Sequence, residues 1–345
     1  MWIDEALPVR VRGIGTALPA GPPVRNADLL ALDPDLHARR RAQLEELGAR
    51  LEAKYGVAER YLVRRPGRDR ASAGMTSEDL AAEAFGAALD TAGGGSPSLL
   101  IHGTTTTSRY TGSQAAAILG RFGIVAPAYD VKAGCSTSLA SLHMAAAFLR
   151  SGYPDAAVAC AETLSKVMHP DVRETWFGLA DGAAALWLAR DDVAPEFVIT
   201  RSYFSTDGRH VDLYTTRGQL PPTVEAIASN GYCLQGDKDQ LADLAKARYA
   251  AMLDAVLPAS DPSARVDWII PHQVNRALID AVLRPRGLED RVVWDAREVG
   301  NLGGASVLFS LACALGRGQF ERGQRILLMS VGGGLSAAAQ VWEKS

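Results

Sequence analysis

The chain has 345 residues, 48% of them hydrophobic and 22% charged, with a formal net charge of −3. That length can build two core-forming units or one large layered core, and the charge balance gives no reason to expect a nucleic-acid partner. Four scattered cysteines, Cys135, Cys160, Cys233 and Cys313, form no Cys-x-x-Cys pair, which argues against a metal site or a disulfide framework and favours a reducing cytoplasm.

The N-terminus, Met-Trp-Ile-Asp-Glu-Ala-Leu-Pro, has neither a basic nor an apolar signal region, and no run reaches bilayer-spanning length, so neither export nor a membrane span is expected. Val9 to Ile14 alternates as a strand does and is predicted to break at Gly13, Gly15 and Pro19. Gly13-Ile-Gly15-Thr-Ala-Leu18 lacks the third glycine and the following helix of a dinucleotide fingerprint. Asp33 to Lys54, with Leu36, Leu44, Leu47 and Leu51 at helical spacing, reads as a solvated amphipathic helix, and Arg64 to Gly74 as a loop. Thr76-Ser-Glu-Asp79 predicts the cap of a helix running to about Ala92, which Gly93 to Pro97 ends.

Leu99 to Gly103 reads as a buried strand followed by the polar run Thr104 to Thr107, and Ser113 to Phe122 as a helix. Tyr129 and Val131 then alternate as in a strand, while Ala140, Met144, Ala147 and Phe148 recur at helical spacing. The turn between them falls at Ala133 to Ser136, so Cys135 is expected at a helix N-terminus. Unpaired N–H groups there would favour a thiolate and could hold an oxyanion. Read alone, Cys135 is more often a small residue packing the start of a buried helix. Asp155 to Cys160 and Asp181 to Leu188 are further apolar strands, and the alternation of strands with helices predicts an α/β layered protein.

From Trp268 onward the chain echoes its first half. Trp268-Ile-Ile-Pro-His272 parallels Leu99-Leu-Ile-His-Gly103, and Val299-Gly-Asn301 with the apolar run after it parallels Ala133-Gly-Cys135 with its own. Gly152 and Gly318 follow at the same interval, each succeeded by an apolar strand. Two similar halves are therefore expected, residues 1–191 and 192–345, with Cys135 and Asn301 at equivalent helix starts near a pseudo-twofold axis. Singly, His272 is more often a hydrogen-bonded structural histidine than a catalytic one, and Asn301 is most simply a helix N-cap.

Taken in order, Gly13-Ile-Gly15-Thr-Ala-Leu-Pro19, Thr76-Ser-Glu-Asp-Leu80, Ala133-Gly-Cys135-Ser, Asp181-Gly-Ala-Ala-Ala185, Pro271-His-Gln-Val-Asn275, Gly300-Asn301-Leu-Gly-Gly-Ala-Ser306 and Gly332-Gly-Gly334 are similar to the β-ketoacyl-acyl-carrier-protein synthase III family of the thiolase superfamily. The resemblance runs nearly end to end. It implies a thiolase-like five-layered α-β-α-β-α fold of two similar halves and a homodimer. It also implies a ketosynthase site: Cys135 as acylated nucleophile, His272 and Asn301 acting on a malonyl-type or β-ketoacyl-type thioester, and the backbone N–H groups of Cys135 and Gly334 as oxyanion hole. Asn275 would orient His272 or a water, and Arg173 matches a position that touches coenzyme A or pantetheine. No resident cofactor is implied, only acyl thioesters of coenzyme A or of an acyl carrier protein as substrates. His143, Cys160, Cys233 and Cys313 are read as packing.

One departure bears on the donor. Where housekeeping members carry a tryptophan that helps hold coenzyme A, this chain reads Leu44-Glu-Glu-Leu-Gly-Ala-Arg-Leu-Glu-Ala-Lys-Tyr-Gly56. A specialised-metabolism relative fed by acidic carrier proteins, with Lys246 and Arg248 as docking cations, is the resulting expectation. Three other readings compete with this one. A papain-like hydrolase shares the Cys, His, Asn order but not the Cys-Gly-Ser-Cys-Trp signature. A non-catalytic partner subunit is disfavoured by the intact trio. An acyltransferase of the same fold, moving an acyl group to an alcohol, amine or carrier thiol without decarboxylation, is the nearest alternative.

Overall fold

The computed structural model describes residues 2–31, 38–64, 74–169, 172–258, 260–261 and 264–345. Nine strands carry the architecture: β1 (Leu7–Ala17), β2 (Leu100–Gly103), β3 (Ala128–Val131), β4 (Asp155–Thr163), β5 (Asp181–Arg190), β6 (Phe197–Thr206), β7 (Trp268–Pro271), β8 (Arg325–Gly332) and β9 (Ser336–Lys344). They hydrogen-bond in the order β7-β8-β9-β6-β1-β5-β4-β2-β3, with the short strand Trp2–Ile3 against β6. The principal helices are α1 (Ala38–Tyr55), α2 (Ser77–Thr91), α3 (Gln114–Arg121), α4 (Thr137–Arg150), α5 (Lys238–Val256), α6 (Arg276–Leu283) and α7 (Ser306–Gly316).

The repeat is visible as topology. In the first half β2 runs parallel to β4, β4 antiparallel to β5, and β5 antiparallel to β1. In the second, β7 runs parallel to β8, β8 antiparallel to β9, and β9 antiparallel to β6. Even the parallel neighbour β3 has a counterpart, the single bridge between Ile269 and Val292.

Side-chain alternation explains the layering. All nine residues of β4 are buried. Ala157, Ala159 and Ala161 face α2 and α3, while Ala156, Val158 and Cys160 face the opposite core, which contains Leu139 and Leu142 of α4 and Val307, Leu308 and Leu311 of α7. Likewise Leu327, Met329 and Val331 of β8 face α5 and α6, whereas Ile326 and Leu328 face the α4/α7 core. Strands buried on both faces lack the polar half of the usual alternation and read as continuous apolar runs. The five layers are thus α2/α3, the first sheet half, α4/α7, the second sheet half, and α5/α6, a thiolase-like α-β-α-β-α fold.

The reciprocal cap of α2 is present: the Thr76 hydroxyl accepts from the Asp79 N–H at 3.1 Å, and Asp79 accepts from the Thr76 N–H at 2.7 Å. The expected break at Gly13 and Gly15 is not. β1 continues to Ala17, and a Cβ at Gly13 or Gly15 would lie 2.0 or 2.1 Å from the carbonyl oxygens of Ala88 or Ala84. These glycines let helix α2 lie on the strand; they do not turn the chain. Of the first amphipathic helix, Leu51 packs with Val24, Leu29, Leu62 and Phe177. Leu36 and most of the loop Arg64 to Gly74 lie outside the described residues. Among the described residues no helix is long and apolar enough to cross a membrane.

Candidate active site

Helix α4 begins at Thr137 with Ser136 as its N-cap residue, so Cys135 lies just outside the helix on a turn closed by Ser136 N–H to Ala133 O and Thr137 N–H to Gly134 O, each 3.1 Å. The turn is pressed onto the end of β8. A Cβ on Gly332 would lie 2.5 Å from the Cys135 nitrogen, and one on Gly134 would lie 2.7 Å from the Gly333 carbonyl oxygen. Ser336 on β9 fastens the turn from the other side, its hydroxyl donating to Ala133 O at 2.7 Å. Cys135 keeps a partly exposed face, but the packing round its sulfur dominates its acidity. Burial first, and then the Glu162 carboxylate, push the thiol up to about 12, against the N–H groups of Gly333 and Cys135, which favour the thiolate. The helix start therefore does not produce a resting thiolate: desolvation outweighs it.

His272 immediately follows β7, and its N–H donates to Met329 O of β8 at 2.8 Å, one strand over from the Cys135 turn. Only 1% of it is exposed, and burial lowers the imidazole to about 4, so at neutral pH the ring is uncharged. Nδ1 lies 2.8 Å from the Ser306 hydroxyl, whereas the buried Nε2 has no partner among the described residues. A buried ring nitrogen without a partner is costly unless a substrate atom completes it.

Asn301 is also buried. Its backbone is clamped by the segment Gly178–Ala180, with Asn301 N–H donating to Gly178 O and Ala180 N–H to Asn301 O, both 2.9 Å. Arg60, fully buried, holds that segment from behind by donating to Phe177 O at 2.9 Å. The Asn301 Oδ1 accepts from Gly303 N–H at 2.9 Å. Because an N–H cannot accept, this bond fixes the flip of the amide and leaves Nδ2, with its two protons, as the other end. The turn Gly303–Ala305 after Asn301 lies against the Cys135 turn, since a Cβ on Gly304 would be 2.9 Å from Gly134 O. The three elements carrying Cys135, His272 and Asn301 thus meet where β7 and β8 end and α4 and α7 begin.

Other expected residues stand differently. Asn275 caps α6, its Oδ1 accepting from Leu278 N–H at 3.0 Å, and the contact that holds the His272 ring comes from Ser306. Arg173 opens a short helix, Arg173–Gly178, but its side chain lies outside the described residues. Gly334 sits at φ +117° in the turn between β8 and β9 with open space around it, while Gly333 is the glycine whose N–H reaches the Cys135 sulfur. Lys246 pairs with Asp243 at 3.0 Å and Arg248 with Asp207 at 3.5 Å. Half-buried His143 meets the Ser202 hydroxyl through Nδ1 at 2.7 Å. Ser306 received no role from sequence reasoning. Its signal was its place, five residues after Asn301 as the polar residue opening an apolar helix.

A turn-borne cysteine, a neutral buried histidine and an oriented carboxamide at the seam of a five-layered fold define a thiolase-type acyl-transfer enzyme. The family model for 3-oxoacyl-[acyl-carrier-protein] synthase III matches residues 129–208, and the model for its C-terminal part matches residues 262–344. The β-ketoacyl-[acyl-carrier-protein] synthase III of Neisseria meningitidis serogroup A is 31% identical over 298 residues, 84% of this chain and 92% of that protein. The crystal structure of 3-oxoacyl-(acyl carrier protein) synthase III from Pseudomonas aeruginosa PAO1 superposes with a TM-score of 0.80 at 24% identity, covering 98% of each chain. The priming β-ketosynthase of the R1128 polyketide pathway gives 0.80 at 23%, covering 99% of this chain and 98% of that one. The chain belongs to the β-ketoacyl-acyl-carrier-protein synthase III family. It is a condensing acyltransferase of that type.

Proposed function

We propose that the chain joins a Cys135-bound acyl group to a malonyl-type thioester, with His272 and Asn301 holding the enolate. The observation that carries this reading is the neutral, buried His272 whose Nε2 lacks a partner. As the Cys135 sulfur attacks an acyl thioester, its proton leaves and ends on the departing thiol, while the oxyanion is held by the N–H groups that converge on the sulfur, those of Cys135 and of Gly333 rather than the expected Gly334. The extender then loses carbon dioxide. With Ser306 donating to Nδ1, the ring proton lies on Nε2, so Nε2–H and Asn301 Nδ2 donate to the enolate oxygen. The enolate carbon attacks the acyl-cysteine carbonyl and expels the Cys135 thiolate, which regains a proton.

Ser306→Ala should leave Cys135 acylation in place and slow condensation by about tenfold or more, because the ring loses its orienting bond. Ser306→Thr, which keeps the hydroxyl, should restore most of the rate. Equal loss in the two half-reactions, measured separately, would remove the orienting role.

The finer reading is a carrier-fed enzyme of specialised metabolism. It is supported by the missing coenzyme-binding tryptophan and by likeness in fold to a priming polyketide ketosynthase. Lys246 and Arg248 support it less, each being matched by a carboxylate of its own chain. Matched acyl and malonyl groups offered on coenzyme A and on a carrier protein should react faster from the carrier, with a rate that falls as salt rises. Faster, salt-insensitive turnover of the coenzyme A thioesters would sink this reading, and product without carbon dioxide would favour transfer to an alcohol, amine or carrier thiol. The halves 1–191 and 192–345 fit the chain's turn between β5 and β6. A homodimer is supported by β3, the edge strand that ends the sheet order, where Tyr129 is exposed.

A further inference from the structure

Beneath the nucleophile lies a carboxyl group that the chemistry above does not use. Glu162 of β4 is fully buried. Its Oε1 accepts from the Thr105 N–H at 2.9 Å, and its Oε2 accepts from the Thr105 and Thr106 hydroxyls at 2.8 and 2.7 Å. Thr106 is braced further: its hydroxyl accepts from Thr163 N–H at 2.8 Å, and its carbonyl accepts from the Ser77 hydroxyl at 2.8 Å. The carboxylate is therefore the acceptor on which the Thr105 and Thr106 side chains of the loop after β2 converge.

Its other side faces the Cys135 turn across Gly304. A Cβ on Gly304 would lie 2.8 Å from Glu162 Oε1, 2.9 Å from Gly134 O and 2.9 Å from the Thr137 Cβ. Glu162 and the backbone that presents the sulfur thus share a space with no room for one more methyl group. Thr137 completes the contact, its hydroxyl donating to Gly134 O at 2.7 Å and accepting from Ala133 N–H at 3.0 Å. Electrostatics agrees with this packing. Burial raises Glu162 to about 7, opposed by its Thr106 and Thr105 donors and by Lys132, and its charge is the second cause of the raised Cys135 thiol. The other titratable group that senses the sulfur is Tyr249 of α5, whose hydroxyl accepts from Val331 N–H at 3.1 Å.

We propose that Glu162 is a positioning residue for the nucleophile: it holds the Thr104–Thr107 loop and packs against the Cys135 turn, and its buried charge adds to burial in keeping Cys135 a thiol until a bound thioester draws the proton away. A buried like charge disfavours ionisation of its neighbour, so the sulfur is withheld from adventitious electrophiles. The inference takes Cys135 as the nucleophile, but its test reads the thiol itself.

Iodoacetamide alkylation of Cys135, followed by peptide mass spectrometry from pH 6 to 10, tests it on the whole chain. Glu162→Gln should be alkylated about tenfold faster than the native protein at pH 8, where Glu162 is charged, the effect of about one pH unit on the thiol. The ratio should shrink below about pH 7 as the native carboxyl takes up its proton. Glu162→Asp, which retains the charge, should stay slow. A folded Glu162→Gln variant alkylated at the native rate throughout would overturn the proposal. If that variant does not fold, Thr105→Val and Thr106→Val replace it. Each removes a donor from the carboxylate, which then holds its proton at higher pH, so each should speed alkylation at pH 8, and native rates in both would overturn the proposal equally. Failure of an acyl label to reach Cys135 would instead strike the proposed function and leave this result standing.

Discussion

Incubating the protein with an acyl thioester should add one acyl mass to the peptide that contains Cys135, and Cys135→Ala should lose both that label and all condensation. The expectation rests on placement. Cys160 lies fully buried in the α4/α7 core, where no thioester can reach it. Burial also raises Cys313, beside Asp295. Cys135 alone of these three stands on a turn between a helix start and a glycine-lined strand end, partly exposed and with two N–H groups on its sulfur. Alanine occupies the same backbone without a nucleophile, so the variant should fold while producing nothing. A label on another residue, or one that survives the substitution, would show that the nucleophile lies elsewhere.

Asn301→Asp should slow condensation on the order of 100-fold or more while leaving acylation largely intact. The substitution is almost isosteric, and one carboxylate oxygen can keep the bond from Gly303 N–H. The other oxygen takes the place of Nδ2. Where two protons had faced the developing enolate there would be a negative charge, buried and close, so a donor becomes a repulsion. His272→Ala removes the second donor without adding charge and should act in the same half-reaction. Intact-protein mass spectrometry follows acylation, and release of carbon dioxide follows condensation. Equal loss in both steps would mean that Asn301 and His272 serve the nucleophile, as in a hydrolase.

Much of this was legible in residue order. The internal repeat predicted paired strands in the same order in both halves, which strand pairing repeats down to the lone bridge at Val292, whereas Cys135 stands two residues before α4 and Asn301 five before α7. The capping pattern also placed α2, because Thr76 and Asp79 form a local cap that needs no tertiary partner. Gly13 and Gly15 were misread because a glycine that admits a neighbouring helix and one that turns the chain look alike until the neighbour is in place. The acidity of Cys135 was hidden for a similar reason. A helix start is a local feature, but the desolvation and the Glu162 charge that outweigh it come from strands and turns far along the chain. Ser306 escaped notice because its partner, His272, is 34 residues away in sequence and meets it only across the end of β7.

The central pair of helices, α4 and α7, is packed between both halves of the sheet, and its two starting turns carry the sulfur on one side and the carboxamide on the other. On the proposed mechanism each half alone would hold an incomplete reaction, and the distance from acyl carbon to enolate would be a mechanical property of the seam. Sliding one sheet half past the other would have to shear a close-packed interior, which resists continuous deformation. The fold would then act as a caliper, with the spacing that aligns the two reacting carbons stored in the stiffness of the buried helix pair.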